Sequence, residues 1–238
     1  MLNKVCKAFI ALTSSVARKG LRHGVAPAIE HREAIALVKP AALVDVGANK
    51  GQFSIAVRSA CPGARIIAFE PLDSEAARFN AVFGDDPLVE LHRNAIAETE
   101  GTAEFHVADR ADSSSLLEID KGQADAFGVR EASTVTVQLR PLSACVDFAA
   151  LPRPVMLKID VQGAELMVLR SIADWSAIDF VYVELSFVEL YRGQPCAGEV
   201  IAFLRSRNFE PGGVFNQVST GAFGPTQADF LFRPAAAG

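Results

Sequence analysis

The sequence predicts an α/β fold: a doubly wound, mostly parallel sheet of seven strands that ends in a C-terminal antiparallel hairpin. Short apolar runs alternate with helix-compatible segments, which favours parallel strands joined by helical crossovers. Half of the 238 residues are hydrophobic, as a sheet buried on both faces requires. At this length we expect one domain over residues 40–238, preceded by a helical arm over residues 1–39.

The first half of the sheet follows from apolar runs separated by turn residues. Pro40 ends a helix over residues 30–39, and the apolar run after it predicts the first strand. A Pro-Gly turn at 62–63 precedes the second strand, and the Asp-Ser-Glu sequence at 73–75 begins another helix. The strands are expected at 42–46, 64–70 and 89–92, and the first crossover helix at 51–59.

The second half begins less regularly. Residues 103–107 and 134–139 predict strands on either side of residues 109–128, a polar stretch that is long for a loop and therefore favours a lid or substrate loop. Alternation of strand and helix then resumes. The remaining strands are expected at 155–160 and 180–185, the helices at 164–171 and 198–207, and the hairpin at 210–216 and 229–232.

The most informative motif joins the first strand to its helix. An apolar run ends at Asp45, a glycine-bounded turn runs from Gly47 to Gly51, and Glu70 ends the second apolar run nineteen residues later. This arrangement is typical of a βαβ unit that binds a nucleoside-bearing cofactor at the carboxyl ends of its strands. We expect Glu70 to accept hydrogen bonds from the ribose hydroxyls.

The same turn indicates which cofactor is bound. Asn49 stands where a pyrophosphate-binding loop has the glycine that lets its backbone approach the phosphates, and Asp45 would repel a pyrophosphate. A carboxylate at that position suits a ligand with an ammonium and a sulfonium group. S-adenosylmethionine has both groups, an adenosine and no phosphate, so it is the cofactor that these residues favour.

Three segments resemble the FkbM family of S-adenosylmethionine-dependent methyltransferases. They are residues 45–53, 69–71 and 157–165, and the resemblance covers roughly residues 40–232. It implies a Rossmann-like class I methyltransferase fold, with the adenine near the end of the third strand and a serine of the middle loop close to the cofactor. The expected cofactor-binding residues are Asp45, Gly47, Ala48, Asn49, Gly51, Phe53, Glu70, Pro71, Asn94 and Ser114.

Catalysis is expected at the end of the strand over residues 155–160. Asp160 is the first candidate to receive the proton of an acceptor hydroxyl, or a hydrogen bond from it. Lys158 lies on the same face of the strand, where it either tunes Asp160 or only neutralises carboxylates. Glu165 either faces the acceptor as a third catalytic residue or acts at a helix N-terminus, where acids are favourable. The expected substrate-binding residues are Gln162, Glu184 and Tyr191.

These residues predict an O-methyltransferase that acts on a hydroxyl of a glycan or natural product. The Asp-Ser-Ser-Ser loop and the Glu-Leu-Tyr-Arg-Gly-Gln segment resemble members associated with bacterial surface polysaccharides, so a sugar hydroxyl is the first candidate. Two alternatives stay open. One is an NAD(P)-dependent oxidoreductase, although the loop lacks the glycine it needs, and the other is a non-enzymatic cofactor-binding module, since fold does not determine function.

Composition and charge limit the binding partners and the cellular compartment that we expect for the protein. A net charge of −5 argues against a nucleic-acid partner. The four cysteines are far apart and the four histidines show no metal-ligand spacing, so we expect free thiols in a reducing, cytoplasmic compartment and no metal. Asp160, Glu165 and Glu184 could in principle hold a divalent cation, but acids at a sheet edge more often bind hydroxyls or the cofactor.

The N-terminal arm is predicted to form a basic amphipathic helix. The first 29 residues carry five basic and no acidic side chains, and apolar residues recur at helical spacing at Leu2, Val5, Phe9, Leu12 and Val16. Such a helix could rest on an anionic membrane surface, pack on a partner subunit or cover the domain's own core. The apolar run is too short for a secretory signal, and no stretch reaches the length of a membrane span.

Overall fold

Residues 14–236 are described in the computed structural model. The strands are β1 (Ala42–Val46), β2 (Arg65–Phe69), β3 (Val89–His92), β4 (Ala95–Ile96), β5 (Gly101–Ala108), β6 (Glu131–Arg140), β7 (Val155–Ile159), β8 (Phe180–Ser186), β9 (Phe209–Thr220) and β10 (Gly224–Pro234). The helices are α1 (Ser15–Arg22), α2 (Arg32–Val38), α3 (Gln52–Ala60), α4 (Asp73–Phe83), α5 (Lys121–Phe127), α6 (Leu142–Cys145), α7 (Glu165–Arg170) and α8 (Ala197–Ser206). Short 3-10 turns cover Ile29–His31, Ala111–Ser113 and Phe148–Ala150.

The main sheet has seven strands in the order β3-β2-β1-β7-β8-β10-β9. The first five of these are parallel, and β10 pairs antiparallel with both β8 and β9. The chain moves outward from β1 to β3 and returns on the other side of β1 with β7, so β1 and β7 form the switch point where open α/β sheets bind ligands. The predicted fold, doubly wound and mostly parallel with a closing hairpin, is confirmed.

The central strands are buried on both faces, which explains their continuous apolar sequences. Every residue of β1 and β7 is buried. Side chains alternate between the faces, so Val44 and Leu157 belong to one core cluster while Leu43 and Met156 belong to the other. The carboxyl ends of β1 and β7 are therefore held by packed layers above and below the sheet.

The secondary structure in the middle of the chain differs in detail from the one that the sequence predicts. β4, β6 and β5 form a separate three-stranded sheet, in which β5 and β6 are antiparallel. The polar stretch 109–128 is only partly a loop, because it contains a 3-10 turn and α5, and it is anchored by bridges to β5 and to Tyr191. The closing hairpin is longer than predicted, since β9 and β10 pair from Phe209 to Pro234 despite the glycines within them.

The described part of the arm packs on the domain. Ala17 and Gly20 of α1 are buried, and a Cβ on Gly20 would lie 2.7 Å from the side chain of Ile55 in α3. Most of the predicted amphipathic pattern, from Leu2 to Leu12, lies outside the described residues. Over residues 14–236, no helix has the length and apolar character that crossing a membrane requires.

Candidate active site

A cleft of about 220 Å³ opens at the carboxyl ends of β1, β2 and β7. Eleven of the predicted site residues line it, and five do not. Those that line it are Gly47, Ala48, Asn49, Phe53, Glu70, Pro71, Asn94, Ser114, Lys158, Asp160 and Gln162. Those that do not are Asp45, Gly51, Glu165, Glu184 and Tyr191.

The loop after β1 touches the loop after β7. Gly47 has a φ of 78°, and a Cβ there would lie 1.8 Å from the carbonyl oxygen of Asp160. A glycine is therefore needed both for the backbone conformation and for the close approach. Gly51 also has a positive φ, 93°, where the chain enters α3. Gly47 thus lines the cleft, while Gly51 sets the entry of the chain into α3.

The backbone N–H groups of this loop are all used inside the protein. Those of Gly47 and Ala48 donate to the carbonyl of Phe69, and that of Gly51 donates to the carbonyl of Ala48. The remaining two, from Asn49 and Lys50, donate to the Glu70 carboxylate and to the Asn49 side chain. The loop thus offers no free row of N–H donors of the kind that binds a pyrophosphate.

Glu70 is a buried carboxylate that faces the cleft. Its Oε2 accepts the N–H of Asn49 at 2.9 Å, and its Oε1 accepts the N–H of Leu72 at 2.8 Å. Burial raises the pKa of Glu70 to about 7, although the two backbone hydrogen bonds act in the opposite direction. A carboxylate fixed in this way at the end of β2 can accept further hydrogen bonds from a ribose.

Lys158 is buried at the base of the cleft. Its Nζ lies 2.7 Å from the carbonyl oxygen of Gly47, 3.1 Å from Oδ1 of Asp45 and 3.7 Å from Oδ2 of Asp160. Burial lowers the pKa of Lys158, but the charges of Asp45 and Asp160 outweigh it, so the pKa lies above its ordinary value. The ammonium therefore stays charged and joins the two acids.

Asp45 acts on the cleft only through Lys158. Its other carboxylate oxygen, Oδ2, accepts the hydroxyl of Ser54 at 2.7 Å, and the residue has no exposed surface. The motif predicts that this acid faces the ammonium group of the cofactor. In the structure its oxygens are turned toward Lys158 and Ser54 instead.

Gln162 organises the opposite wall of the cleft. Its backbone has a φ of 55°, and its side-chain amide donates to Asp160 at 2.7 Å and to Glu184 at 2.9 Å. Its carbonyl oxygen accepts the hydroxyl of Tyr191 at 3.0 Å. Burial, followed by the charge of Asp160, raises the pKa of Glu184 well above its ordinary value. Glu184 and Tyr191 therefore support Gln162 from behind the wall.

Glu165 holds the turn between β7 and α7. Its Oε1 accepts the N–H of Gly163 at 2.9 Å and that of Val161 at 3.3 Å. Burial raises its pKa to about 7, against these hydrogen bonds. This contact corresponds to the helix N-terminal interpretation rather than to a group that faces an acceptor.

One end of the cleft is apolar and suits a flat aromatic base. Phe69, Ile96, Phe105 and Leu116 line it. Asn94 and Ser114 also lie there, but their side chains bond to backbone groups, since Asn94 donates to the carbonyl of Ala95 and Ser114 accepts the N–H of Ala108. An adenine in this slot would be recognised mainly by shape and apolar contact.

Several polar residues of the cleft lie outside the set of site residues that the motifs predict. They are Glu30, His31, Gln52 and Asp112. Their positions depend on how the segment before β1 and the middle loop fold over the strand ends. Within residues 14–236, no group of three or more histidine, cysteine or acidic side chains could hold a metal ion.

Comparison with known families decides the assignment. The model of the methyltransferase FkbM domain matches residues 45–211. The chain belongs to this family. The resemblance to the FkbM family that the sequence motifs indicate is therefore confirmed, and both its family and its fold are those of an S-adenosylmethionine-dependent methyltransferase.

Two curated relatives of this FkbM-domain protein are similar over part of their length. "Methyltransferase 1" of Beauveria bassiana is 29% identical over 163 residues, which cover 60% of this chain and 64% of the relative. The antimetabolite synthetase AmbE of Pseudomonas aeruginosa is 31% identical over 172 residues, which cover 60% of this chain but 8% of the relative. The chain thus spans less than two thirds of either relative.

Two solved structures illustrate what the chain is similar to. A chain described as "putative rRNA-methylase" from Clostridium thermocellum has a TM-score of 0.50 at 12% identity, covering 87% of this chain and 95% of that one. A 1,6-didemethyltoxoflavin-N1-methyltransferase from Burkholderia thailandensis, solved with S-adenosylhomocysteine, has a TM-score of 0.45 at 13% identity, covering 94% and 79%. The likeness to the Clostridium thermocellum chain, at 12% identity, concerns the fold alone.

The cleft residues fit S-adenosylmethionine, the cofactor of this family. Lys158 is the one lysine or arginine that lines the described cleft, and its charge is engaged by two acids. With the N–H groups of the first loop also occupied, a pyrophosphate would find neither a free backbone donor in that loop nor an unengaged lysine or arginine in the described cleft, whereas a phosphate-free adenosine has Glu70 and the apolar slot.

Proposed function

We propose that the protein is an O-methyltransferase that transfers the methyl group to a hydroxyl of a glycan or natural-product acceptor. The observation that supports an oxygen acceptor most directly is Asp160. Its side chain is 39% exposed, it lines the cleft, and Gln162 and Lys158 hold it on two sides. A carboxylate fixed at the mouth of the cleft can receive the hydrogen bond of an incoming hydroxyl and orient its oxygen.

Different residues would bind the cofactor and the acceptor, at two ends of the cleft. Glu70 and the apolar slot would hold the adenosine, and Asp160 would orient the acceptor at the end of β7. S-adenosylmethionine supplies an activated methyl group on a sulfonium, so the protein has to align the acceptor, exclude water and handle one proton. Lys158 holds the Asp160 side chain in place, since their charged groups lie 3.7 Å apart.

A sugar hydroxyl of bacterial surface polysaccharide biosynthesis is the acceptor that we propose first. The cleft that Asp160 lines also contains the polar residues Glu30, Gln52, Asp112 and Gln162. Carboxylates and amides are suited to the neighbouring hydroxyls of a sugar, because a carboxylate accepts hydrogen bonds from hydroxyls and an amide can both accept and donate them. This chemistry fits a polyhydroxylated acceptor better than an apolar one.

Asp160→Asn tests the proposal. The variant should bind S-adenosylhomocysteine within about twofold of wild type, because Asp160 lies away from the adenosine end, while turnover on methyl hexopyranosides should fall by about 100-fold. Calorimetry measures the first quantity and formation of S-adenosylhomocysteine the second. Asp125→Asn, an exposed acid on α5, is the matched control and should leave both unchanged.

Two results would contradict the proposal. Undiminished turnover of Asp160→Asn would remove Asp160 from the reaction. Cofactor binding by the wild-type protein without methyl transfer to any hydroxylated acceptor would favour a non-enzymatic binding module on the same scaffold.

A further inference from the structure

A polar cluster joins the cleft to the closing hairpin. We call it the His31 cluster; it consists of His31, Tyr182, Asn216 and Asp229. Nδ1 of His31 lies 2.9 Å from the hydroxyl of Tyr182 and 3.1 Å from Oδ2 of Asp229. The same Asp229 oxygen accepts the Tyr182 hydroxyl at 2.9 Å and the Asn216 amide at 2.7 Å. The Asp229 carboxylate is thus the acceptor at the centre of the cluster.

This arrangement determines which nitrogen of His31 carries the proton. Nδ1 faces the Asp229 carboxylate and the Tyr182 hydroxyl, whose own hydrogen is given to that carboxylate. The Asn216 amide nitrogen also lies 3.1 Å from Nδ1, but its two hydrogens are directed to Asp229 and to the Tyr182 oxygen. The favoured tautomer therefore has its hydrogen on Nδ1. Nε2 then keeps a lone pair. Within residues 14–236, the polar contacts of His31 are all made through Nδ1, and the side chain lines the cleft.

The ring of His31 is fixed by aromatic neighbours. Phe53 and Tyr182 both meet it edge-on, with centroid distances of 5.1 and 5.6 Å. Phe53 lines the same cleft, and the Lys158 ammonium lies 5.9 Å from the centre of the Phe53 ring. His31 is therefore oriented by packing as well as by the carboxylate behind it.

We propose that His31 is the catalytic base of methyl transfer and that Asp229 is its positioning residue. This inference rests on the proposed O-methyltransferase function. The acceptor O–H bond breaks and its proton passes to Nε2, while the oxygen lone pair forms the new O–CH₃ bond. The electron pair of the broken S–CH₃ bond remains on sulfur, which leaves S-adenosylhomocysteine, and the proton later passes from His31 to water. Asp160 orients the hydroxyl during this step.

The charges around the cluster support these roles. Burial raises the pKa of Asp229, but its contacts with His31, Asn216 and Tyr182 outweigh burial and hold the pKa below its ordinary value. Asp229 is therefore ionised and stabilises the imidazolium that forms when His31 takes the proton. The other ionisable groups near the cluster are Tyr182, whose pKa is raised by burial, and Glu184.

The tautomer can be measured without acceptor or cofactor. Long-range ¹H–¹⁵N correlation spectra of the full chain, with His31→Gln to assign the signal, should show the hydrogen of neutral His31 on Nδ1. The Asp229→Asn variant should lose this preference, because a neutral amide no longer favours Nδ1–H. A wild-type spectrum with the hydrogen on Nε2 would overturn the inference, since Nε2 could not then accept a proton.

Kinetics separate the base from a merely structural histidine. With a panel of methyl hexopyranosides as acceptors, His31→Gln should lower kcat by about 100-fold, change KM by less than about threefold, and abolish the rise of kcat with pH on the acidic side. His106→Gln is the matched control, because His106 also pairs with a carboxylate, Glu131, at 2.7 Å but does not line the cleft. It should leave all three quantities unchanged.

The outcomes are distinguishable from failure of the proposed function. If wild-type protein methylates a hydroxyl while His31→Gln retains both kcat and the acidic limb, the O-methyltransferase stands and the base assignment is overturned. If wild-type protein methylates no hydroxyl at all, the proposed function and the base that depends on it both fail, whatever the tautomer.

Discussion

The ion pair between Lys158 and Asp45 should be the most costly single contact to break in the site. Nζ and Oδ1 lie 3.1 Å apart, and the two side chains are 7% and 0% exposed. At an effective dielectric constant of about 20, Coulomb attraction at this separation is about 5 kcal/mol. Desolvation of both ions offsets part of this, so the net contribution of the pair is smaller than the gross attraction.

Lys158→Met removes one partner and leaves a buried carboxylate alone. We expect a loss of about 3–5 kcal/mol in the free energy of unfolding, the range for breaking a buried pair. Asp45→Asn should cost less, about 2 kcal/mol, because Lys158 keeps the Gly47 carbonyl and Asp160. The double variant removes both charges, so it should cost clearly less than the sum of the two single changes, by about 2 kcal/mol.

Urea unfolding followed by circular dichroism measures these free energies. Lys19→Met is the matched control: Lys19 forms a pair of similar length, 2.9 Å, with Asp85, but these side chains are 34% and 91% exposed, and we expect no measurable loss. Additive losses in the double variant would refute the reasoning, since they would show that Lys158 and Asp45 do not interact. A loss under about 1 kcal/mol for Lys158→Met would refute it as well.

Two further predictions concern the glycine contact and the buried acids. Gly47→Ala should destabilise the protein by more than about 2 kcal/mol, because a Cβ would lie 1.8 Å from the carbonyl oxygen of Asp160. Gly63→Ala is the control and should be nearly neutral, because a Cβ there would meet nothing within 4 Å. Thermal unfolding of the two variants checks this prediction. The second prediction follows from Glu165, whose pKa of about 7 in the folded protein exceeds its unfolded value of 4.5. The folded protein therefore binds more protons than the unfolded chain between these pH values. Its free energy of unfolding falls as pH rises through that window, by about 3 kcal/mol for this group. Glu165→Gln should make the stability curve shallower between pH 4.5 and 7, while the exposed Glu33→Gln should leave it unchanged; an unaltered curve in Glu165→Gln would show that burial does not raise this pKa.

Local sequence was enough to predict the sheet and much of the cleft. The apolar runs that became β1 and β3 were placed at their observed bounds, because their ends coincide with Pro40, Gly47 and other strong local signals. Glu70 could be placed at the cleft for the same reason, since the end of a parallel strand is defined by its own sequence and by the turn that follows.

The direction of individual side chains could not be predicted in this way. Asp45 and Glu70 both stand at strand ends, but Asp45 turns toward Lys158 on the neighbouring strand, which becomes its neighbour only once β1 and β7 pair. Glu184 and Tyr191 lie behind Gln162, whose side-chain amide bonds to both of them from a backbone with a φ of 55°.

The remaining features of the cleft depend on contacts between residues that are distant in sequence. His31 reaches the cleft because the 3-10 turn before α2 packs against Tyr182, 151 residues later, and against Asp229 of the closing hairpin. No local pattern connects these three positions. The sequence showed that His31 lies ahead of β1, but a long-range carboxylate partner could be found only in the folded chain.

The central claim is that the cleft at the ends of β1, β2 and β7 binds a phosphate-free adenosine cofactor through Glu70. Calorimetry of the wild-type protein with S-adenosylhomocysteine and with NAD, repeated on Glu70→Ala, tests it most directly. We expect binding of S-adenosylhomocysteine with no detectable heat from NAD, and a loss of at least about tenfold in affinity in Glu70→Ala, since its carboxylate would receive charge-assisted hydrogen bonds from the ribose. Binding of NAD by the wild-type protein, or affinity for S-adenosylhomocysteine that is unchanged in Glu70→Ala, would contradict this account.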